Sequence, residues 1–429
     1  MKREPVTDAT VARCREAALA DPASGLPALA KSLVGLAYRR SDRRAKGALR
    51  LMEEAADIHR ALIAGGTVEH LGNAAFALSS LARQYSRLHL HDQALAAHQE
   101  AADLARRAEE HRPVPDLGQA AVLRAALAHA LAEAGRFDEA VDAARAVADR
   151  SRAVAGEGGT DLMWRLLDVT VLLRLAGRTE EAVAVEHEAL AHQRDQKAGQ
   201  DRSPLMALRA AGAALWFADL GRPAQARDLL EEAARSAERL PARTRTADFG
   251  FHEAVRSALF ARSGVRDEQA AAEAPEPVAV DPGQRLRPVL GVNHLHWSGG
   301  LYTSFQKGLG DLVRAVEAGT GMPEGKSARG SMTLPDGREP LAALGILRRR
   351  RDLRMAVLGE RPYNYAGTTV PRLRRSIDLE RRLHEVDPEG GTGRLVRAVT
   401  DLAMAQLVQE EHALAAGTLR EAHALAAQA

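Results

Sequence analysis

The stretch GTGMPEGKS, residues 319–327, ends in the Gly-Lys-Ser of loops that hold nucleotide phosphates. In such a loop a glycine, four residues and Gly-Lys-Ser/Thr curve the backbone so that its N–H groups converge on the phosphate oxygens. Counting back from Gly325 puts Thr320 in the glycine position, with Gly319 and Gly321 on either side. The motif should also leave a buried strand and open a helix. Here it follows the helix-like DLVRAVEA and runs into ARGSMTLPDGREP, so the spacing predicts a flexible loop near 319–340 and no nucleotide site at Lys326.

The other residues that could do chemistry fall short of a complete set. His294 and His296 in HLHW have no Cys pair or His-Glu partner at motif spacing, whereas zinc takes three or four ligands. His89, His91 and His98 lie close in sequence, with His98 in a slot held elsewhere by Met52, Ala144, Glu186 and Leu230; that variety predicts a tolerant position on a helix face. Cys14 is the single cysteine, which excludes an intrachain disulfide. No serine stands out beside a His and an acid. The expectation is a chain with no catalytic residues, no metal, no cofactor and no enzyme activity. The strongest charge feature is Arg348, Arg349, Arg350 and Arg351, inside a region, 341–382, with eleven Arg against four acids. Such an excess suits nucleic acid or an acidic partner. A solvated helix face is the plainer reading, because aromatic residues for base stacking are limited to Tyr363 and Tyr365.

What would position such residues is a helical scaffold. Apolar residues make up 46% of the 429 and aromatics only 3%, so Ala and Leu carry the core and favour helix. A formal net charge of +2 gives no general drive toward nucleic acid or anionic membrane. Six Lys against 53 Arg point to a GC-rich, bacterial genome. The N-terminal residues hold no apolar leader, and no window approaches 18 uncharged apolar residues, so a cytoplasmic protein without membrane contact is expected.

Five segments beginning at 45, 91, 137, 179 and 223 each place alanine fourth: Ala48, Ala94, Ala140, Ala182 and Ala226, at spacings of 46, 46, 42 and 44. Seven residues later come Ala55, Ala101, Val147, Ala189 and Ala233, two turns on along the same helix face. Small side chains at these points let a second helix approach closely. A helical run precedes four of the segments, at 75–85, 121–131, 163–173 and 207–217, and Gly135, Gly177 and Gly221 sit where a tight turn needs positive φ. Breakers separate the units at 64–66, 112–115, 155–159 and 201–204.

This pattern resembles the tetratricopeptide repeat: small at the eighth, twentieth and twenty-seventh residues, aromatic or Leu at the eleventh. Ala82, Tyr85, Ala94 and Ala101 occupy those positions in one unit, and Ala128, Leu131, Ala140 and Val147 in the next. The long period is similar to that of kinesin light chains and of arrays attached to bacterial NB-ARC-type signalling proteins. The resemblance covers about 28–240. It implies an all-α, right-handed superhelical solenoid of antiparallel helix pairs whose first helices face a peptide-binding groove. By register Phe76, Arg83, Arg87, His129, Trp164 and Arg174 face that groove. The paired asparagines that hold a peptide backbone in such arrays are replaced by Ser79-Ser80, Ala125-Ala126, Leu167-Asp168 and Ala211-Gly212, and the basic clamp for acidic C-termini is missing. An apolar, shape-driven groove follows.

The predicted organisation is an array of about five pairs over 1–263, a Pro-rich linker or long loop over 264–288, and a C-terminal helical region over 289–429. Helices are expected at 301–319, 341–359 and 371–386. Val399, Leu402 and Ala403, with Ala415, Leu419 and Ala422, predict a degenerate last pair that closes the array. The function expected from this scaffold is a protein-interaction or regulatory module with a protein or peptide partner. The alternatives are a nucleic-acid-associated regulator working through 341–382 and a sensor with a small ligand between repeats.

Overall fold

In the computed structural model the described residues are 6–40, 45–88, 90–111, 118–154, 160–196, 205–241, short pieces of 373–385, 388–408 and 411–428. Among them there are thirteen α-helices, one 3-10 turn and no strand. The chain divides into two compact units, one running to Ala182 and the other starting at Val183. The predicted boundaries at 263/264 and 288/289, the helices at 301–319 and 341–359, Lys326, His294, His296 and Arg348–Arg351 lie outside the described residues. Among the described helices none is long and apolar enough to cross a membrane.

The first unit opens with α1 (Asp8–Ala20). The side chains of Thr7 and Thr10 each accept from the other's backbone N–H, at 3.3 and 3.2 Å, and so cap its start. It packs on α2 (Pro22–Arg40) at close range: a Cβ on Gly25 would lie 2.4 Å from the Ala18 Cα. Helix pairs follow: α2 with α3 (Ala45–Ala64), then α4 (Leu71–Arg87) with α5 (His91–His111), and α6 (Gly118–Glu133) with α7 (Phe137–Val154). Next come α8 (Thr160–Leu175), packed on α7, and α9 (Thr179–Gln196), whose first turn ends the first unit. Each second helix packs on the first helix of the next pair: α3 on α4, α5 on α6 and α7 on α8.

The alanines that define the repeat explain this nesting. Ala48, Ala55, Ala94, Ala101, Ala140, Val147, Ala182, Ala189, Ala226 and Ala233 are all buried. The turns are equally regular. Gly135, Gly177 and Gly221 have φ of 73°, 72° and 68°. After each glycine, the N–H of Arg136, Arg178 or Arg222 bonds five residues back, to Leu131, Leu173 or Phe217, at 2.8–2.9 Å. This is the glycine-terminated helix end that satisfies the last free carbonyls. The carbonyl of the same arginine then accepts the N–H of Ala140, Ala182 or Ala226 at 3.0 Å, which starts the second helix.

In the second unit, α10 (Leu205–Asp219) pairs with α11 (Pro223–Glu238), and α12 (Pro388–Val408) pairs with α13 (His412–Ala426). The predicted last pair is present, with Val399, Leu402, Ala403, Ala415, Leu419 and Ala422 all buried. Its docking differs from the earlier stacking. Beyond its own partner α10, the helix packed most extensively on α11 is α13, the second of its pair, whereas α3, α5 and α7 each receive a first helix. Arg420 of α13 grips Glu238 with two hydrogen bonds of 2.7 and 2.9 Å, and His412 Nδ1 meets the Pro241 carbonyl at 2.8 Å. The described pieces of the helix expected at 371–386 are helical, and Arg381 there donates to Glu421 at 2.9 Å.

Candidate functional site

The buried pattern Ala30, Leu33, Leu36, Ala37 on α2 repeats on α4 as Ala75, Leu78, Leu81, Ala82. The residues between these form a stripe seven apart, or two helical turns, on the opposite face. The stripe reads Lys31 and Tyr38 on α2, Phe76 and Arg83 on α4, and Val122 and His129 on α6. Burial of the small partners leaves large apolar side chains in water: Tyr38 is 41% exposed, Phe76 46% and Val122 44%. Position Ser79-Ser80, expected to line the groove, is instead buried.

A hydrogen-bonded chain runs along this stripe. Ser80 Oγ donates to the Phe76 carbonyl at 2.8 Å and lies 2.8 Å from the Tyr38 hydroxyl, so Tyr38 donates to Ser80. The Tyr38 hydroxyl oxygen also accepts from Arg83 Nη2, whose guanidinium carbon stands 5.5 Å from the Tyr38 ring centre. Arg83 is thus oriented by a hydroxyl and a ring face. Its Nε is buried without a hydrogen-bond partner, and among the described residues no carboxylate pairs with it.

The charge around Arg83 is one-sided. Helices α2 and α4 carry Lys31, Arg39, Arg40, Arg83 and Arg87 and contain no Asp or Glu. On α6 the only acid is Glu133, its last residue. Arg39 is taken up by the Val6 carbonyl at 2.8 Å and Arg40 by Asp8 at 2.5 Å. The second helices are opposite in character. Arg60 of α3 makes a two-pronged pair with Glu100 of α5, at 2.9 and 2.6 Å; these bonds hold its pKa above the ordinary arginine value despite partial burial. Arg178 binds the Glu181 carboxylate at 2.7 Å and Arg145 of α7 donates to it at 2.6 Å, and these bonds hold the Glu181 carboxyl down at about 2. Arg194 and Glu232 repeat the Arg60–Glu100 geometry in the second unit, at 2.7 and 2.6 Å.

Of the residues expected in a groove, Phe76 and Arg83 share one stripe, and His129 holds the same register on α6. His129 and Arg174 are half-buried. Arg87 and Trp164 lie in α4 and α8, with side chains outside the described residues. Sequence reasoning missed Tyr38. The absence of acids from α2 and α4 is the signal that would have drawn attention to the face it shares with Arg83.

One expectation is corrected. The slot of His98, read as a tolerant helix face, is buried in every unit: Met52, His98, Ala144, Glu186 and Leu230 are all core residues. Its variety reflects different partners. Glu186 takes both carboxylate oxygens to Arg209 Nη2 at 2.8 Å, with the two side chains only 3% and 6% exposed. The neighbouring His187, Phe217 and Trp216 stack at 5.2 and 5.3 Å between ring centres. His59, also in the core, is pushed down to about pKa 4, chiefly by burial and further by His70. Among the described residues no three His, Cys, Asp or Glu side chains are grouped to hold a metal ion.

No protein-family model and no curated protein matches the chain. Solved structures do. BtubC (BKLC) from P. vanneervenii is 14% identical, with a TM-score of 0.36, over 68% of this chain and 99% of its own. The apo form of the quorum sensor NprR from B. thuringiensis is 11% identical, with a TM-score of 0.34, over 97% and 93%.

Proposed function

We propose that this chain is a non-catalytic, cytoplasmic protein-interaction module of the tetratricopeptide type, serving as a scaffold or regulator, and that it binds a protein or peptide partner across α2, α4 and α6. The reading rests on one observation: Tyr38, Phe76 and Val122, on three first helices, keep 41–46% of their surface in water while the alanines beside them are buried. Large apolar side chains left exposed on adjoining helices, with polar groups among them, are the composition of a binding face. The helices that carry them are fixed by buried packing, so the face is preorganised.

The test is a double variant, Phe76→Glu with Val122→Glu, measured by calorimetry against segments selected from a peptide array on the wild-type chain. Both positions are solvent-facing, so helicity and melting should change little. Affinity for every selected segment should fall at least about tenfold, the scale of removing central apolar anchors. Unchanged affinity would move the site off this face.

A further inference from the structure

We infer that the first unit bends at the step from α5 to α7, because the guanidinium–carboxylate rungs that tie successive second helices together are missing there. The rungs follow the repeat. Six residues after each register alanine stand Glu54, Glu100, Ala146, Glu188 and Glu232; twelve residues after it stand Arg60, Arg106, Arg152 and Arg194. Arg60 of α3 grips Glu100 of α5 through two nitrogens, and Arg194 of α9 grips Glu232 of α11 in the same way. Arg15 of α1 reaches both carboxylate oxygens of Glu54 on α3, at 2.9 and 2.7 Å. The acceptor series fails at Ala146. Arg106 precedes it by 40 residues, the same separation as Arg60 from Glu100, and meets a methyl group. Arg106 turns back instead to its own helix, to Asp103 at 2.6 Å and to Glu110.

A second kind of rung is missing as well. From α7 to α9, Arg145 donates to Glu181 at 2.6 Å. The corresponding residues of α5 and α7 are Gln99 and Glu139, and Glu139 is held by Arg136, three residues before it, at 2.6 Å. Glu109 of α5 meets Arg124 of α6 only at 4.0 Å. Helix α5 also packs less extensively on α6 than α3 does on α4 or α7 on α8. The rungs are exposed, so each adds little to stability. What they fix is geometry, since two parallel hydrogen bonds set the angle between helices as well as their distance. In a stack where each pair touches only its neighbours, one step can bend while the others hold. The α5–α7 step joins the pair carrying Phe76 to the pair carrying Val122. Bending there changes the spacing of those two side chains, so the proposed face adjusts its width to what it holds. That consequence rests on the binding face proposed above; the bend itself does not.

The experiment uses the full chain with Cys14→Ser and spin labels on paired cysteines. Lys31→Cys with Phe76→Cys spans a step that has a rung, and Phe76→Cys with Val122→Cys spans the step without one. Distances are read by electron paramagnetic resonance with no partner present. The second pair should give the broader distribution. Ala146→Glu, at an exposed helix position, should remove that excess width and leave the first pair unchanged. Combined with Arg106→Ala it should lose this effect. Glu100→Ala should broaden the first pair, and keeps the test decisive if Ala146→Glu lowers helicity by circular dichroism. Equal widths for the two pairs in the parent chain, or widths unmoved by both Ala146→Glu and Glu100→Ala, overturn the inference. Failure of the binding face would leave these widths as they are, and failure of the bend would leave the affinity of Phe76→Glu with Val122→Glu as expected above.

Discussion

The same register has opposite fates in the two units. In the first, Phe76 and Val122 stand at corresponding positions of α4 and α6 and are nearly half exposed. In the second, the corresponding residue of α10 is Leu208, and seven residues on is Leu215; both are buried, at 1% and 2%. There α12 lies over α10, near enough that a Cβ on Gly212 would be 3.8 Å from Met404 Cε. The arginines follow suit: Arg83 is oriented on the surface with no carboxylate from the described residues, whereas Arg209 is sealed against Glu186. One helix type therefore does two jobs. Covered by another helix it is core, and uncovered it is a surface able to receive something else.

The largest effect should come from the sealed pair. Glu186→Ala leaves Arg209 buried without its carboxylate and should cost about 3–5 kcal/mol in urea unfolding, whereas Glu186→Leu with Arg209→Met should regain most of that loss. A loss below about 1 kcal/mol would place the pair in water and erase the contrast with Arg83. Next comes the register itself. Leu208→Ala should destabilise by about 2–4 kcal/mol as a buried truncation, and Phe76→Ala by less than about 1 kcal/mol as a half-exposed one. Equal losses would mean that both helices are covered alike. The smallest effect is acid-dependent and belongs to the first unit. His59 is held at about 4, below the ordinary histidine value of about 6.5, so the unfolded chain binds the extra proton first. Stability is then complete above about 6.5 and declines as pH falls toward 4, by on the order of 2 kcal/mol. His59→Gln should flatten that decline in unfolding curves recorded between those limits.

How far the sequence carries the reader depends on the range of the contact. Ala94, Ala140 and Ala182, with Gly135, Gly177 and Gly221, report local geometry: helix faces and a three-residue turn repeat in the text as they do in space. The helix pairs were therefore legible, including the last. The docking of α13 on α11 was not, because Arg420 and Glu238 stand 182 residues apart and nothing in either helix names the other. The His98 slot misled for a related reason. Chemical variety resembles solvent tolerance until the partner is seen, and Glu186 is intelligible only beside Arg209. At the candidate site Phe76 and Arg83 could be placed by counting along α4. Tyr38 could not, since Ala37 precedes Ala48 by eleven residues where Ala82 precedes Ala94 by twelve, which slips the first unit out of register.

The placement of α13 has a consequence for how the chain reaches its native state. Pairs joined by short turns can form as they leave the ribosome, each needing only what was made just before it. Helix α11 cannot finish in that way. Its contact with α13 forms only after residues 412–426 have been synthesised and have returned to it, across the 182 residues that separate Glu238 from Arg420. Premature termination before 388 would leave the first unit's helices with their usual neighbours and α11 as a sticky edge, the segment on which chaperone capture and aggregation should concentrate.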